Sequence, residues 1–301
     1  MKNVKKYDRQ IGRKTLTALC FVLPFFLLYT LFVIWPVIQG FYVSLHRWSL
    51  MGRGEFRGLR NYVRFLQDDI FWSSLGNTIL YTAINVPTAV LAALVCALLA
   101  NRPTRLQKYF RVCYYLPNVL SVTVISYMAR LMASPYQGFI STLLRSLGLM
   151  QPGREIMWLM EVPLIWTVIN TISVWWALGF SMMLFISAMQ DIPIQVYEAA
   201  DIDGAGRARQ LFNITLPLLA PTLYLVVMLK LIGSFRIFGQ VFLITGGGPG
   251  RLTMPLVQYI YEAAFSRNDM GYASAMSYAF FLILVGFTLL QLRIQKWRED
   301  A

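Results

Sequence analysis

Residues 162–190 read VPLIWTVINTISVWWALGFSMMLFISAMQ, 29 positions without one Asp, Glu, Lys, Arg or His. About 20 apolar residues let an α-helix cross about 30 Å of hydrocarbon, so this stretch reads as a membrane span. Five more stretches share the character: Thr15–Leu45, Ile70–Asn101, Val112–Ala129, Gln210–Leu229 and Met270–Leu292. The expected spans lie at about 16–38, 77–100, 112–132, 164–189, 216–236 and 271–292. The first, second and fourth stretches exceed one crossing and take in interfacial turns. In the first, Trp35-Pro36 predicts a kink or an end, because Pro lacks an N–H and its ring collides with the preceding turn. The shorter uncharged runs Leu131–Leu144 and Ile237–Gly250 contain Pro or several Gly and read as loops or helices on the outer surface.

Composition agrees. Of 301 residues, 57% are hydrophobic and only 14% charged, against roughly 45–50% and 25% in soluble domains. So few polar residues could not cover one soluble core of this size, and disorder is excluded because low hydrophobicity is its signature. The formal net charge of +13 does not make a nucleic-acid binder, since the charges flank apolar runs. Cys20, Cys96 and Cys113 are an odd set in or beside those runs, which suggests neither a disulfide framework nor a zinc site. The run Leu16–Ile38 is too long for a signal-peptide core and no A-x-A site follows, so it reads as a retained anchor.

Lys and Arg near span ends set the orientation. With a cytoplasmic N-terminus, the inner segments 1–14, 101–111, 190–215 and 293–301 carry 15 Lys/Arg, against 10 in the longer outer segments. Arg102, Arg105, Lys108 and Arg111 share one short inner loop without an acid. Arg47, Arg53, Arg57, Arg60 and Arg64 run against the trend. Six spans then leave both termini cytoplasmic.

No Asp or Glu falls inside the six charge-free stretches, which argues against a proton-driven carrier, because such relays need a membrane-embedded carboxylate or His. His46 is the one His and reads as an ordinary interfacial residue. No G-x-x-x-x-G-K-[ST] loop is present; Gly246 to Gly250 is followed by Arg251-Leu252 and reads as a turn-rich outer loop. The chain therefore hydrolyses nothing by itself and takes its energy from another subunit. Arg130 lies 19 residues past Arg111, roughly 28 Å along a helix, at the outer interface. Lys230 lies 13 residues past Pro217, roughly 20 Å into the fifth span, where it either snorkels outward or lines a cavity.

The segment from Asp191 to Pro221 is unlike the rest. Asp191 is suited to capping a short helix with Pro193 in its first turn. Glu198, Asp201 and Asp203 then dominate a loop whose side of the membrane prefers bases. Ala199 and Ala200 leave a face without bulk, and Gly204 permits a turn that a Cβ would hinder. A second short helix, Gly206–Phe212, leads to Leu216-Pro217, where another helix starts. Two amphipathic surface helices at the membrane interface would read the same way.

This stretch resembles the EAA motif of binding-protein-dependent ABC importer permeases, E-A-A-x-x-D-G-A followed about nine residues later by I-x-L-P. Glu198, Ala199, Ala200, Asp203, Gly204, Ala205, Ile214, Leu216 and Pro217 meet every defining position. Gly58-Leu-Arg-Asn61-Tyr62, Tyr115-Leu-Pro117, Thr245-Gly-Gly-Gly-Pro249 and Tyr259-Ile-Tyr261-Glu-Ala-Ala-Phe265 resemble the carbohydrate-uptake, maltose-type branch, and its first permease more than its second. The chain departs from the maltose-type member in lacking extra N-terminal spans and a large outer insertion, and Ala208 stands where relatives often carry an aromatic.

The resemblance implies an all-α integral membrane protein of six transmembrane helices, with a cytoplasmic coupling-helix loop at 190–215 between spans four and five. It implies a non-enzymatic permease in a bacterial or archaeal plasma membrane. Its partners would be an unlike second permease, two cytoplasmic ATPases that hold ATP and Mg, and an extracytoplasmic solute-binding protein, with no cofactor in this chain and no nucleic acid. Glu198, Ala199, Ala200, Asp203, Gly204, Ala205, Leu216 and Pro217 would couple to the ATPase. Helices swinging between inward-open and outward-open states would carry a saccharide. By motif spacing the pathway falls near Ser173, Trp176, Phe180, Lys230, Gly233 and Ser234. These offer aromatic faces and polar groups for sugar, although tryptophans also serve lipid packing and interfacial belts. Lys230 raises an anionic cargo as an alternative, and the coupling motif also suits a non-sugar solute. A self-sufficient secondary carrier would show an inverted repeat, and none is seen.

Overall fold

The computed structural model describes residues 19–101, 107–151 and 155–299. The expected basic terminus 1–14, residues 102–106 of the basic loop and the last two residues lie outside this set. Four described helices are long and apolar enough to cross a membrane alone, and two bent pairs raise the number to six if each pair is one span. The chain is all-α apart from one short hairpin, and it divides into two compact units: residues 1–67 with 260–279, and 68–259 with 280–301.

In the first unit, α1 (Leu19–Ser44) is one helix. Pro36 does not end it. A π-turn at Thr30–Ile34 just before the Pro makes room for the ring and the missing donor. Side chains from Leu19 to Ile38 are exposed along the whole helix, an apolar surface on every side that suits lipid or a partner helix rather than water. The segment after α1 then forms a hairpin, β1 (His46–Ser49) and β2 (Gly52–Phe56), paired antiparallel with Trp48 opposite Arg53 and a bulge between His46 and Trp48. The helix α2 (Arg60–Leu66) follows.

His46 is buried within the protein: Nδ1 donates to Tyr42 O at 2.8 Å and the ring packs against Tyr42 and Phe56. Buried Asn61 donates to Ser44 O at 2.8 Å and His46 O at 3.0 Å, so the G-L-R-N-Y stretch ties the end of α1 to the hairpin. Gly271 lies so close to the His46 carbonyl that a Cβ would collide with it. In the same unit Tyr278 donates its hydroxyl to Val37 O.

The second unit is a helical core. The helix α3 (Asp69–Ala100) starts on Asp68, whose carboxylate accepts from Ile70 N at 2.9 Å. It packs on α7 (Val162–Gln190) through buried Ala89, Ala93, Ala97 and Ala100, small residues one turn apart that let helices approach closely. Leu178, Met182, Phe185, Ile186 and Met189 fill the facing surface. A larger side chain at Ala93 would cost about 1–3 kcal/mol in overpacking.

The third stretch is not a straight helix. The helices α4 (Gln107–Val119) and α5 (Val122–Met132) meet at 98°, with Pro117 in the last turn of α4 and Ser121 capping α5 through Val124 N. Gly179 of α7 makes room for α4, because a Cβ there would sit 2.5 Å from Tyr114 O. Each of the two shorter uncharged runs takes part in a short helix, α6 (Phe139–Ser146) in the first and α11 (Gly239–Ile244) in the second. The glycine run beyond α11 is a turn. Gly246 and Gly247 have φ of 65° and 86°, and Gln258 Nε2 holds Gly246 O at 2.8 Å.

Candidate translocation cavity and coupling loop

After α7 the chain turns into α8 (Ile194–Ile202). Asp191 does not cap this helix: it closes α7, donating its N–H to Ser187 O, and Pro193 holds the N-cap position without a side-chain bond. The C-terminus is a Schellman motif. Ala205 N donates to Ala200 O at 2.9 Å, Gly204 N to Asp201 O at 3.1 Å, and Gly204 has φ of 72°. That backbone needs glycine at the position after the cap residue Asp203. The two alanines part company here. Ala200 is buried beneath the motif with Ala205 half-buried beside it, whereas Ala199 and Glu198 are exposed. Glu198 makes no ion pair among the described residues, so its carboxylate faces solvent uncommitted.

Asp201, by contrast, accepts from Gln210 Nε2 at 2.5 Å, and Gln210 also holds Ala205 O. Tyr197 OH and Thr215 Oγ1 pair at 3.0 Å. These contacts fold α8 back on α9 (Arg207–Leu218), which carries a π-turn at Leu211–Thr215 just before Leu216 and Pro217. A new helix does not begin at Pro217, because the π-turn absorbs that ring. It begins as α10 (Ala220–Phe235), bent 65° from α9, with Pro221 in its first turn.

Farther along, α3, α7 and α10, with residues 236–240, border an open cavity of about 510 Å³. Ser173, Trp176, Lys230, Gly233 and Ser234 line it, from two helices. Phe180 does not: it lies one turn beyond Trp176 and is exposed. Lys230, Trp176 and Ser234 are each held by a hydrogen bond. Lys230 Nζ donates to Ala177 O at 2.9 Å, and Trp176 Nε1 donates to Leu120 O at 3.0 Å. The second contact occupies a carbonyl at the bend between α4 and α5. Ser234 Oγ donates to Asn85 Oδ1 at 2.9 Å, Asn85 Nδ2 to Asn170 Oδ1 at 2.8 Å, and Asn170 Nδ2 to Thr88 Oγ1 at 3.2 Å. This chain of amides and hydroxyls joins three helices, as polar residues in apolar surroundings must. Arg236 also lines the cavity, and no carboxylate does. Its charge is wholly positive.

An acidic loop with an uncommitted glutamate, joined through one bent helix to a cationic cavity among membrane-length helices, is the anatomy of a transport subunit. The profile of the family described as "Binding-protein-dependent transport system inner membrane component" matches residues 85–299, which include α7, the loop and α10. The chain belongs to this family.

The permease is 34% identical over 277 residues to the probable ABC transporter permease protein YurN of Bacillus subtilis, covering 91% of this chain and 94% of that one. It is 32% identical over 286 residues to the sulfoquinovosyl glycerol transport system permease protein SmoG of Agrobacterium fabrum, covering 94% and 92%. A crystal structure of a bacterial ABC transporter involved in the import of the acidic polysaccharide alginate contains a chain with the same fold. It matches at a TM-score of 0.83 and 20% identity, over 97% of this chain and 98% of that one. The permease is thus a multi-pass transport component of a binding-protein-dependent ABC importer and not a catalytic domain. Among its described residues no three His, Cys, Asp or Glu gather as a metal site.

Sequence reading missed Asn85, Tyr81 and Arg236 in the cavity of this permease. Asn85 had a signal, a lone amide within an apolar span. Arg236 had none, since a base just past a span end is ordinary.

Proposed function

We propose that this permease is the first member of an unlike pair in an importer for an acidic saccharide. In this reading the six apolar runs are six spans, and both termini and the 190–215 loop face the cytoplasm. Glu198, Ala199, Asp203 and Gly204 present the loop to one of two ATPases, which hold the ATP and Mg. Ala200, Ala205, Leu216 and Pro217 keep its shape. An extracytoplasmic binding protein delivers the cargo to the opposite face.

The observation that carries the cargo reading is Lys230 with Arg236 in one cavity and no carboxylate on its wall. Uncompensated cations in a low-dielectric setting favour an anionic ligand. Trp176 and Tyr81 on the wall supply flat faces for sugar C–H surfaces, and Ser173 supplies a hydroxyl for hydrogen bonding. SmoG is named for sulfoquinovosyl glycerol, and the matching solved structure for an acidic polysaccharide; both solutes are anionic.

The test is uptake by vesicles carrying the full importer. A charged hydrogen bond is worth about 1.5–3 kcal/mol, so Lys230→Met should lower uptake of an acidic cargo by about tenfold to a hundredfold. Unchanged uptake of every acidic and neutral saccharide tried would remove the cavity from the pathway.

A further inference from the structure

The first unit contains a cationic hollow of its own, lined by none of the cavity residues used above. It is a cleft of about 570 Å³ between the β1–β2 hairpin and the segment 267–269, and Arg47, Arg57, Arg64 and Arg267 line it. One acid lines it too, Asp269, and that acid is already committed. Its Oδ2 accepts from Arg64 Nη1 at 2.6 Å and its Oδ1 accepts from Tyr272 N at 3.3 Å. Arg47 and Arg57 make no ion pair among the described residues.

The walls are built before any ligand arrives. Arg64 lies 4.0 Å over the Tyr272 ring while it pairs with Asp269. Asn268, at φ of 55°, turns its Oδ1 to accept from Leu50 N at 2.7 Å, which fixes the hairpin tip to this segment. Arg57 N donates to Leu45 O at 2.8 Å, anchoring the far end of the hairpin. The rings of His46 and Tyr42 hold Trp48, another lining residue, edge-on. A concave surface with fixed cations focuses its field on a bound anion, and guanidinium forks match carboxylate, sulfonate and phosphate oxygens.

We propose that this cleft is a second subsite for the cargo, taking the acid group and one ring of an acidic saccharide on the delivery face. The proposal rests on the acidic-saccharide reading above. Arg47 and Arg57 hold the anionic group, and Trp48, Ser49 and Asn268 meet the ring and its hydroxyls. The makeup favours a sugar acid over a peptide carboxylate, because a lone side-chain carboxylate would leave the aromatic and amide wall unused.

The experiment uses the complete importer in nanodiscs, without its binding protein, and D-glucuronate against D-glucose as probes. Phenylglyoxal labels accessible arginines, and mass spectrometry reads each position separately. Glucuronate should protect Arg47 and Arg57 at least fivefold and glucose should not. Salt should weaken the protection, and an Arg47→Gln/Arg57→Gln double variant should bind glucuronate at least tenfold more weakly. Arg57→Lys, which keeps the charge, should recover part of the affinity and so exclude a folding defect. Equal protection by both sugars, or none, overturns the subsite. In a second arm with the binding protein added back, protection by that protein with none from glucuronate also overturns it, and makes the cleft a protein-docking surface. Because each arginine is read individually, these results do not depend on Lys230; loss of the acidic-cargo reading would appear only in the uptake assay.

Discussion

The candidate coupling loop at 190–215 and the Lys230 cavity are both polar islands in an apolar chain, and they are built in opposite ways. The loop is local. Ala200, Asp201, Gly204, Ala205 and Gln210 hold one another within ten positions, through backbone bonds and one amide. It leaves Glu198 uncommitted at its surface. The cavity is assembled from three helices, and its amide chain joins Asn85 and Ser234 across 149 positions. Here every polar atom on the network is occupied, and only the net charge is unbalanced. A local motif can offer a free group to a partner because water solvates it meanwhile. Among apolar helices less water is at hand, so the polar groups bind one another, and in the proposed reading the remaining charge selects the ligand.

Breaking the loop should have the largest effect. In Gly204→Leu the added Cβ meets no neighbour within 4 Å, so the local damage starts from the backbone: about 1–2 kcal/mol for a left-handed non-glycine residue, and a changed path toward the ATPase. Uptake and cargo-stimulated ATP hydrolysis should fall at least a hundredfold while membrane levels stay normal. Glu198→Ala keeps the turn and removes only the free charge, so ATPase co-purification should weaken by roughly tenfold to a hundredfold. Wild-type coupling in both variants would end the coupling assignment.

The cavity should respond in smaller steps. Lys230→Arg keeps the charge and changes its reach, so uptake of acidic cargo should fall less than in Lys230→Met; an equal fall would mean that geometry, not charge, selects the ligand. Asn85→Leu removes two bonds of the amide chain. Interhelical hydrogen bonds in membranes average about 0.6 kcal/mol and reach about 1.7, so the purified permease should lose roughly 1–3 kcal/mol, read as a drop of several degrees in thermal unfolding. A loss beyond 4 kcal/mol would mean that the network organises the whole helical core. Phe180→Ala should do least, since Phe180 is exposed and outside the cavity. Uptake should change by less than about twofold, and a larger change would extend the pathway one turn along α7.

The amino-acid sequence by itself determined the membrane class of this protein and singled out the 190–215 loop as its candidate coupling element. Apolar length is a one-dimensional property, so stretches such as 162–190 are legible without knowing any neighbour. The Schellman turn is legible for a related reason: Gly204 and the alanines that satisfy it lie within a few positions. Only tertiary structure decided the rest. The hairpin at 46–56 has too few residues for an alternation to stand out, and it forms because Asn61 and the segment 268–271 grip it from elsewhere in the chain. The right-angle bend at Leu120 depends on Gly179 admitting α4 and on Trp176 taking up the freed carbonyl. Trp176 and Phe180 look alike in a helical run, yet the first lines the cavity and the second faces outward. A side chain's partner across a helix interface is set by register and close approach, and neither is written in the spacing along one helix.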